Sequence, residues 1–320
     1  MKKISIIVPC YNEEKSIQEI YQRLMRVIER ELYDYDYEII YVDDFSSDST
    51  REEIRKVCAG NKKVRAVFNA RNFGFARNVF QSYSYASGDC AFMMFGDLQD
   101  PPEMLPEFVK KWEEGYKCVI GQRKSSKESK VKYILRKLYY KLLNVLSESH
   151  TIEMMNGFGL YDREFLNVLE QIEETSPFFK AIVKEYGINI CVVPYEQSEG
   201  RRGNSNFNFW KNYDFAMHGI TSSTKLLMRF ATLISLFVIL ICIGVTMWVF
   251  IRKILFWDTY PLGSASIMIG VFFLGAVQLF FVGVLGEYIL SINERVVKKP
   301  RTIVQEMLNF DNNFGEGGMM

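Results

Sequence analysis

This 320-residue sequence has few histidines, a net charge close to zero and none of the common glycine-rich nucleotide-binding motifs. Only two histidines occur, His150 and His218, which argues against a histidine-ligated zinc site and a Ser-His-Asp triad. No GxGxxG motif follows the first predicted strand, and no GxxxxGKS or GxxxxGKT motif is present. A dinucleotide dehydrogenase and a P-loop NTPase are therefore disfavoured. The net charge of +1 gives no overall field that would attract nucleic acid, so no nucleic-acid partner is expected.

Cysteine pairs and a leader segment are missing as well. The six cysteines are scattered along the chain, and no two of them form a CxxC pair. This spacing favours reduced, buried thiols in a cytosol-facing protein over a disulfide framework. The N-terminus enters a strand pattern directly, so no cleavable signal peptide is expected.

Short apolar runs alternate with amphipathic segments over the first 120 or so residues. Tyr11 to Glu14 are predicted to open a helix after the first strand, which Pro9 ends. The apolar face of that helix consists of Ile17, Ile20, Leu24, Val27 and Ile28. The predicted strands are 4–8, 37–42, 64–68, 91–95 and 118–120. This alternation predicts an α/β fold, a mostly parallel sheet with helices on both faces.

Polar side chains follow four of these strands. The four clusters are Asn12 with Glu13, Asp43 with Asp44, Asn69 with Arg71 and Asn72, and Asp97 with Gln99. Each cluster alone is explained by loop solvation, but four at one sheet edge are typical of a ligand crevice.

Asp97 and Gln99 stand out because they interrupt an apolar run abruptly, just after Gly96. Carboxylate and amide oxygens suit Mg²⁺ or Mn²⁺, and such a metal usually also takes substrate phosphate oxygens. A polar turn without any ligand is the alternative interpretation.

Basic residues are concentrated after Gly121. Arg123 begins a run that continues to Lys141, and Arg201, Arg202 and Ser205 lie in a later loop with glycine. Guanidinium groups in such a loop suit phosphate oxygens. A solvated helix face and a surface for anionic lipid headgroups both remain open for the first run.

The last third of the chain carries two long uncharged runs, 230–251 and 264–286. Each is long enough to cross a bilayer, and an amphipathic segment at 207–229 precedes them. Packing of that segment on the preceding domain, and a buried helix hairpin, are the alternatives. Basic residues flank the runs mainly on the domain side, which predicts a multi-pass protein of the cytoplasmic membrane, with both termini and the preceding domain in the cytoplasm.

The ordered set of motifs resembles the polyprenyl-phosphate glycosyltransferases of family 2, the bacterial relatives of dolichyl-phosphate mannose synthase. The matching stretches are 8–13, 42–48, 69–74, 97–103, 286–288 and 299–301. The resemblance implies a GT-A fold divided into a nucleotide-sugar half (1–122), an acceptor half (123–206), an interfacial helix (207–229), a transmembrane hairpin (230–291) and a cytoplasmic tail (292–320).

The same resemblance implies a nucleoside-diphosphate sugar donor, Mg²⁺ or Mn²⁺, a polyprenyl phosphate acceptor, contact with membrane lipids, and a homotetramer. The implied donor-binding residues are Pro9, Tyr11, Asn12, Glu13, Asp43, Asp44, Asn69, Arg71, Asn72 and Gly74. Asp97 and Gln99 would hold the metal, while Arg123, Arg201, Arg202 and Ser205 would meet the acceptor. Asp97, Arg123 and Arg201 are the implied catalytic residues.

Two positions depart from the family pattern. Phe95 stands where the family usually has the first carboxylate of an Asp-x-Asp motif, and Gly157 stands where it usually has an aspartate proposed as a base. Glu153 and Asp162 are nearby candidates to replace that aspartate. A phosphate acceptor is already largely a dianion at pH 7, so a missing base need not abolish transfer. A divergent inverting transferase is favoured, with a transferase for another acceptor and a nucleotide-binding pseudoenzyme as the alternatives.

Overall fold

The computed structural model describes residues 1–123, 155–173, 179–197, 264–296 and 300–310, together with five isolated helical positions between 237 and 255. The chain forms two compact units. The first consists of Met1–Lys137, Thr151–Asn208 and Glu294–Met320, and the second of Leu138–His150 and Phe209–Asn293. Arg201, Arg202, Ser205, the basic run after Arg123 and the segment 207–229 lie outside the described residues.

The first unit contains an eight-stranded sheet in the order β7-β5-β6-β4-β1-β2-β3-β8. The strands are β1 (Lys3–Cys10), β2 (Asp36–Asp43), β3 (Val64–Asn69), β4 (Cys90–Met93), β5 (Cys118–Arg123), β6 (Met155–Asp162), β7 (Ile190–Tyr195) and β8 (Val304–Leu308). The helices within the described residues are α1 (Ile17–Glu31), α2 (Thr50–Gly60), α3 (Phe75–Ser82), α4 (Leu105–Glu113), α5 (Arg163–Gln171), α6 (Phe179–Tyr186) and α7 (Ser264–Val296), the last mostly in the second unit.

The predicted parallel sheet is confirmed at its centre. Strand β1 pairs in parallel with both β2 and β4, and β2 pairs in parallel with β3. The chain therefore moves outward from β1 through β2 and β3, then returns to the other side of β1 with β4. This reversal is the place where open α/β sheets form a ligand crevice, outside the carboxyl ends of the strands.

Helix α1 buries the predicted apolar face completely, from Ile17 to Ile28. Its predicted start is wrong, because Tyr11 to Ser16 form a loop and the helix begins at Ile17. Pro9 does not end β1 either, since it pairs with Val42 inside the strand.

Two strands of the sheet run antiparallel to the rest. The sequence pattern at 156–163 predicts only a turn that leads into a strand or a helix; in the structure these residues belong mostly to strand β6, which pairs antiparallel with both β4 and β5. Strand β8, in the predicted tail, pairs antiparallel with β3 and covers that edge of the sheet. Pairing of this kind joins segments that are far apart in sequence, so local patterns do not reveal it.

The second predicted span, 264–286, falls within helix α7. Over the side chains that the structure describes, no helix is both long enough and apolar enough to cross a membrane. Both spans stay predictions.

The described cysteines are free thiols, as predicted. Cys10, Cys58, Cys90 and Cys118 are buried, and Cys191 is partly buried. Burial raises the pKa of Cys58 and of Cys118 to about 12, so both thiols stay protonated at neutral pH.

Candidate active site

The carboxyl ends of the four central strands meet at one edge of the sheet. Register places Cys10 beside Asp43, and Asp43 beside Phe68. On the other side of β1, Ile7 pairs with Met93 near the end of β4. The polar residues that follow these strand ends are Asn12, Glu13, Asp44, Asn69, Asp97 and Gln99. The structure thus brings together the clusters that the sequence identified separately.

Asp44 organises the loop that follows β3. Its Oδ1 accepts hydrogen bonds from Asn69 Nδ2 and from the Phe73 backbone N–H, both at 3.0 Å. Its Oδ2 accepts from the Gly74 N–H at 2.8 Å, and Gly74 has φ +89°, a value that favours glycine. Asp44 is therefore a buried carboxylate whose described contacts hold residues 69–74 in place.

Asp43 is held by Arg51, a residue that the sequence prediction missed. Arg51 Nε donates to Asp43 Oδ2 at 2.6 Å, and one terminal nitrogen donates to the Asn69 carbonyl at 2.7 Å. The other terminal nitrogen donates to Gln305 Oε1 at 3.1 Å. Arg51 thus joins the ends of β2, β3 and β8. The only sequence signal for it was a cation seven positions after the second of two adjacent aspartates, at the start of the next helix.

The loop after β1 is tied to the start of α2. The Asn12 N–H donates to Ser46 Oγ at 2.8 Å, and Asn12 Oδ1 accepts from the Ser47 N–H at 2.8 Å. The Glu13 N–H donates to Thr50 Oγ1 at 2.7 Å. These contacts satisfy backbone groups and fix the loop beside the strand ends.

Four of the predicted donor-binding residues are exposed at this edge. Tyr11 is 39% exposed, Asn12 beside it is exposed as well, and Arg71 and Asn72 lie on the surface of the loop after β3. The Arg71 guanidinium stacks over the Phe73 ring at 4.8 Å. These side chains are placed where a ligand in the crevice could meet them, whereas Asp43, Asp44 and Asn69 support the loops beneath.

The loop after β4 presents Asp97 and Gln99. The Gly96 N–H donates to the Pro9 carbonyl at 3.3 Å, and Ser16 Oγ donates to the Gly96 carbonyl at 2.6 Å. Asp97 Oδ1 accepts from the Gln99 N–H at 3.1 Å, which closes a short side-chain turn. This loop is therefore anchored to the end of β1, with the Asp97 side chain half-buried.

The side-chain oxygens of this loop could supply part of the coordination shell of a metal ion, with substrate supplying other ligands. Among the described residues, no group of three or more His, Cys, Asp or Glu side chains could hold a metal ion by itself. Asp97 and Gln99 offer one carboxylate and one amide oxygen, and the Gln99 oxygen also accepts from Gln197 Nε2. An amide oxygen has two lone pairs, so this contact leaves it able to ligate. Mg²⁺ commonly keeps few protein ligands and completes its shell with phosphate oxygens and water.

Arg123 reaches the site from the end of β5. Its Nε donates to the Tyr195 hydroxyl at 3.4 Å, and that hydroxyl donates to Asp100 Oδ1. Burial, followed by the nearby Asp100 carboxylate, raises the pKa of Tyr195 well above its ordinary value, so the hydroxyl stays protonated. The sequence analysis identified Arg123 but neither Asp100 nor Tyr195.

The two positions that depart from the family pattern lie against each other. Gly157 has φ +100°, and a Cβ built there would lie 3.5 Å from Phe95 Cζ. The Phe95 ring also packs on Phe75, with centroids 5.2 Å apart. Phe95 is therefore a packed aromatic residue at the edge of the site, where a carboxylate was expected.

Asp162 does not replace the aspartate expected at 157. It pairs with Cys90 at the amino end of β4, the opposite edge of the sheet. Burial tends to raise the pKa of Asp162, but hydrogen bonds from Trp112 Nε1 (2.6 Å) and Lys117 (3.2 Å) outweigh it and lower the pKa. The other candidate, Glu153, lies outside the described residues.

Comparison with known proteins gives matches over most of the chain. The family described as Glycosyl transferase family 2 matches residues 5–187. The SfII prophage-derived bactoprenol glucosyl transferase of Shigella flexneri is 34% identical over 305 residues, covering 95% of this chain and 98% of that protein. The putative glycosyltransferase CsbB of Bacillus subtilis strain 168 is 32% identical over 303 residues, covering 95% and 91%.

A solved structure shares the fold. The Mycobacterium tuberculosis glucosyl-3-phosphoglycerate synthase, in complex with Mn²⁺, UDP-glucose and phosphoglyceric acid, aligns with a TM-score of 0.50 at 20% identity. The alignment covers 69% of this chain and 78% of that one. It confirms the predicted fold, the mostly parallel α/β sheet of GT-A glycosyltransferases.

Proposed function

Because this chain belongs to glycosyltransferase family 2 and is a glycosyltransferase, we propose that it transfers one sugar from a nucleoside-diphosphate donor to a polyprenyl phosphate. One observation carries the proposal. At the sheet edge where the strand ends meet, the loop with Asp97 lies beside Arg123, which Tyr195 and Asp100 link to that loop. The bactoprenol glucosyl transferases, related over almost the whole chain, support the choice of acceptor.

The proposed reaction is a direct displacement with inversion. An acceptor phosphate oxygen attacks the anomeric carbon from the face opposite the donor diphosphate. The bond between that carbon and the diphosphate oxygen breaks, and its electron pair leaves with the nucleoside diphosphate. No proton has to be removed from the nucleophile, because a phosphate monoester is largely a dianion at pH 7. Glycine at 157, where the family usually has a proposed base, is compatible with this chemistry.

The residues of the site divide into three groups by position. In this proposal Tyr11, Arg71 and Asn72 meet the donor nucleotide, and their exposure above the loops that Asp43, Asp44 and Asn69 support is consistent with that role. Asp97 and Gln99 would hold a divalent metal together with the donor phosphates. When bound, such a metal supplies positive charge that stabilises the departing diphosphate. Arg123 would hold phosphate with a charge-assisted contact from its two terminal nitrogens.

We also propose that the acceptor is met at the cytoplasmic face of the membrane. A polyprenyl phosphate keeps its chain in the bilayer and its phosphate at the surface. The two uncharged runs and the basic residues that flank them on the domain side support a catalytic unit anchored at that surface. The acceptor half at 123–206, with Arg201, Arg202 and Ser205, and assembly as a homotetramer belong to the same proposal.

The test is a donor panel with the full chain purified in detergent. Farnesyl phosphate serves as acceptor, with Mn²⁺ or Mg²⁺, and released nucleoside diphosphate is measured for each nucleotide sugar. We expect turnover with one donor, and a loss of about 100-fold or more in kcat for Asp97→Asn. The asparagine keeps an oxygen that can accept from the Gln99 N–H, so the thermal midpoint should stay unchanged.

Two results would count against the proposal. Turnover that ignores farnesyl phosphate but proceeds with a glycan acceptor would assign this transferase to another acceptor. Nucleotide binding without turnover under any condition would indicate a protein that keeps the crevice and has lost the reaction.

A further inference from the structure

The hydroxyl of Tyr195 lies between Arg123, at the end of β5, and the loop that carries Asp97. It accepts from Arg123 Nε at 3.4 Å, and it donates to Asp100, a fully buried residue three positions after Asp97. Gln197, two residues after Tyr195, donates from its Nε2 to Gln99 Oε1. The end of β7 therefore contacts both the loop that carries Asp97 and the arginine at the end of β5.

The direction of both hydrogen bonds is fixed by chemistry. A guanidinium can only donate, so Tyr195 must accept from Arg123. The hydroxyl hydrogen is then free to be donated, and Asp100 Oδ1 accepts it. The one hydroxyl hydrogen is thus directed to Asp100, and a lone pair is directed to Arg123. A side chain without a hydroxyl cannot join these two groups.

Packing fixes where that hydroxyl lies. Tyr195 is 3% exposed, and its ring packs edge-on against Phe158 with centroids 5.0 Å apart. A Cβ added at Gly121 would lie 3.0 Å from Tyr195 Cε1, so β5 also closes against the ring. A buried ring with contacts on these sides has little freedom to move its hydroxyl.

The contact uses only Nε of Arg123. The two terminal nitrogens of a guanidinium form the fork that grips a phosphate in two places. The hydrogen bond between Nε and Tyr195 fixes the plane of the guanidinium group. Less side-chain entropy is then lost when the two terminal nitrogens bind phosphate.

We propose that Tyr195 is a positioning residue that orients Arg123 toward the acceptor phosphate, using Asp100 as its fixed support. The inference rests on the proposed function, since it takes polyprenyl phosphate as the acceptor. It assigns Tyr195 no contact with substrate.

The test compares Tyr195→Phe with the wild-type full chain in detergent. The substitution removes the hydroxyl and keeps the ring that packs on Phe158. We expect the apparent Kd for farnesyl phosphate, measured by calorimetry, to rise about tenfold, as for one lost hydrogen bond to a charged group. The acceptor KM should rise with it, while the donor KM changes by less than about twofold.

Tyr41→Phe is the matched control. Tyr41 is also fully buried, and its hydroxyl donates to the Ile17 carbonyl at 3.4 Å, away from Arg123. This variant should leave the Kd for farnesyl phosphate unchanged. A second comparison uses Arg123→Ala with and without Tyr195→Phe. If Tyr195 acts through Arg123, adding Tyr195→Phe to Arg123→Ala should not change the Kd for farnesyl phosphate any further.

The outcomes separate this inference from the function on which it rests. Wild-type protein that binds no farnesyl phosphate would overturn the acceptor and this inference together. Wild-type binding with an equal Kd for Tyr195→Phe would overturn the inference alone. Equal losses of donor and acceptor affinity, or additive effects with Arg123→Ala, would also overturn it, since they indicate a general structural role.

Discussion

At the scale of single residues, Phe95 and Gly157 are best understood as one change. Either position alone suggests a lost carboxylate, but the structure places the Phe95 ring within contact distance of a Cβ at 157. Gly157 also has a positive φ, which a residue with a side chain adopts only with strain. An aspartate restored at 157 would therefore meet both a packed ring and an unfavourable backbone.

Gly157→Ala should lower the free energy of unfolding by about 1–3 kcal/mol, because alanine is strained at this φ. Urea unfolding of the two proteins measures the difference. Gly60→Ala is the control. Gly60 is the last residue of α2, and a Cβ added there would have no atom within 4 Å, so a methyl group should be tolerated. Equal stabilities for Gly157→Ala and the Gly60 control would show that the backbone at 157 is not under this constraint.

Glu38 gives the first unit a pH-dependent contribution to stability. Burial tends to raise its pKa, but hydrogen bonds from Ser5 and Lys3 and the Ser87 N–H outweigh burial and lower it below 4.5. Arg65 adds an ion pair at 2.8 Å. A lowered pKa means that this stability is fully present above about pH 4.5 and is lost as pH falls through the folded-state value.

Glu38→Gln should therefore destabilise the protein at pH 7, because Lys3 and Arg65 lose their shared carboxylate. It should also flatten the fall in stability below pH 4.5, since the group that titrates there is gone. Thermal midpoints measured from pH 7 to pH 3 test both effects. An acid limb as steep as that of the wild type would mean that other carboxylates dominate acid unfolding.

At the scale of elements, β8 completes the edge of the sheet beside the loop after β3, which we propose to meet the donor. The Ala70 N–H donates to the Ile303 carbonyl at 2.8 Å, and Arg51 links Gln305 to Asp43 and Asn69. The strand that follows α7 in sequence thus supports the loop after β3. We expect the donor site to depend on this strand although it lies more than 200 residues from the other parts.

Arg51→Ala should cost about 3–5 kcal/mol of stability, because it leaves the fully buried Asp43 carboxylate without its cation. It should also weaken nucleotide binding through the loop after β3. Arg55→Ala is matched to it, since Arg55 lies one turn further along α2 and pairs with Glu306 at the surface. An exposed pair contributes about 0–1 kcal/mol. Similar losses for the two variants, measured by urea unfolding and nucleotide titration, would contradict the role given to Arg51.

The elements also show which part of the structure local sequence can predict. Apolar runs such as 4–8 and 37–42 are buried strands in parallel sheets, and each was correctly located. The buried face of α1 was correct because helical spacing is a local property. Strand β6 was missed because glycines 157 and 159 resemble a turn, and β8 because its partner lies far away in sequence. Tyr195 was missed for the same reason, since its role depends on contacts with two other segments.

At the scale of the whole molecule, the proposed reaction joins a water-soluble donor to a lipid phosphate. The first compact unit contains the strand ends, the Asp97 loop and Arg123, so the described residues to which we assign donor and phosphate binding belong to one unit. The second unit contains most of α7, within which the second uncharged run falls. In our proposal the first unit is the catalytic unit and the second contains the anchoring segment.

The most direct measurement identifies the product formed by the full chain from UDP-glucose and farnesyl phosphate with Mn²⁺. UDP-glucose is the first donor to use because several relatives are named glucosyl transferases. Mass spectrometry should find farnesyl phosphate heavier by one sugar residue, and NMR should show the β-anomer formed from the α-linked donor. No glucosylated farnesyl phosphate, together with glucose transfer when a glycan acceptor is added, would contradict the account, and so would an α-linked sugar on farnesyl phosphate.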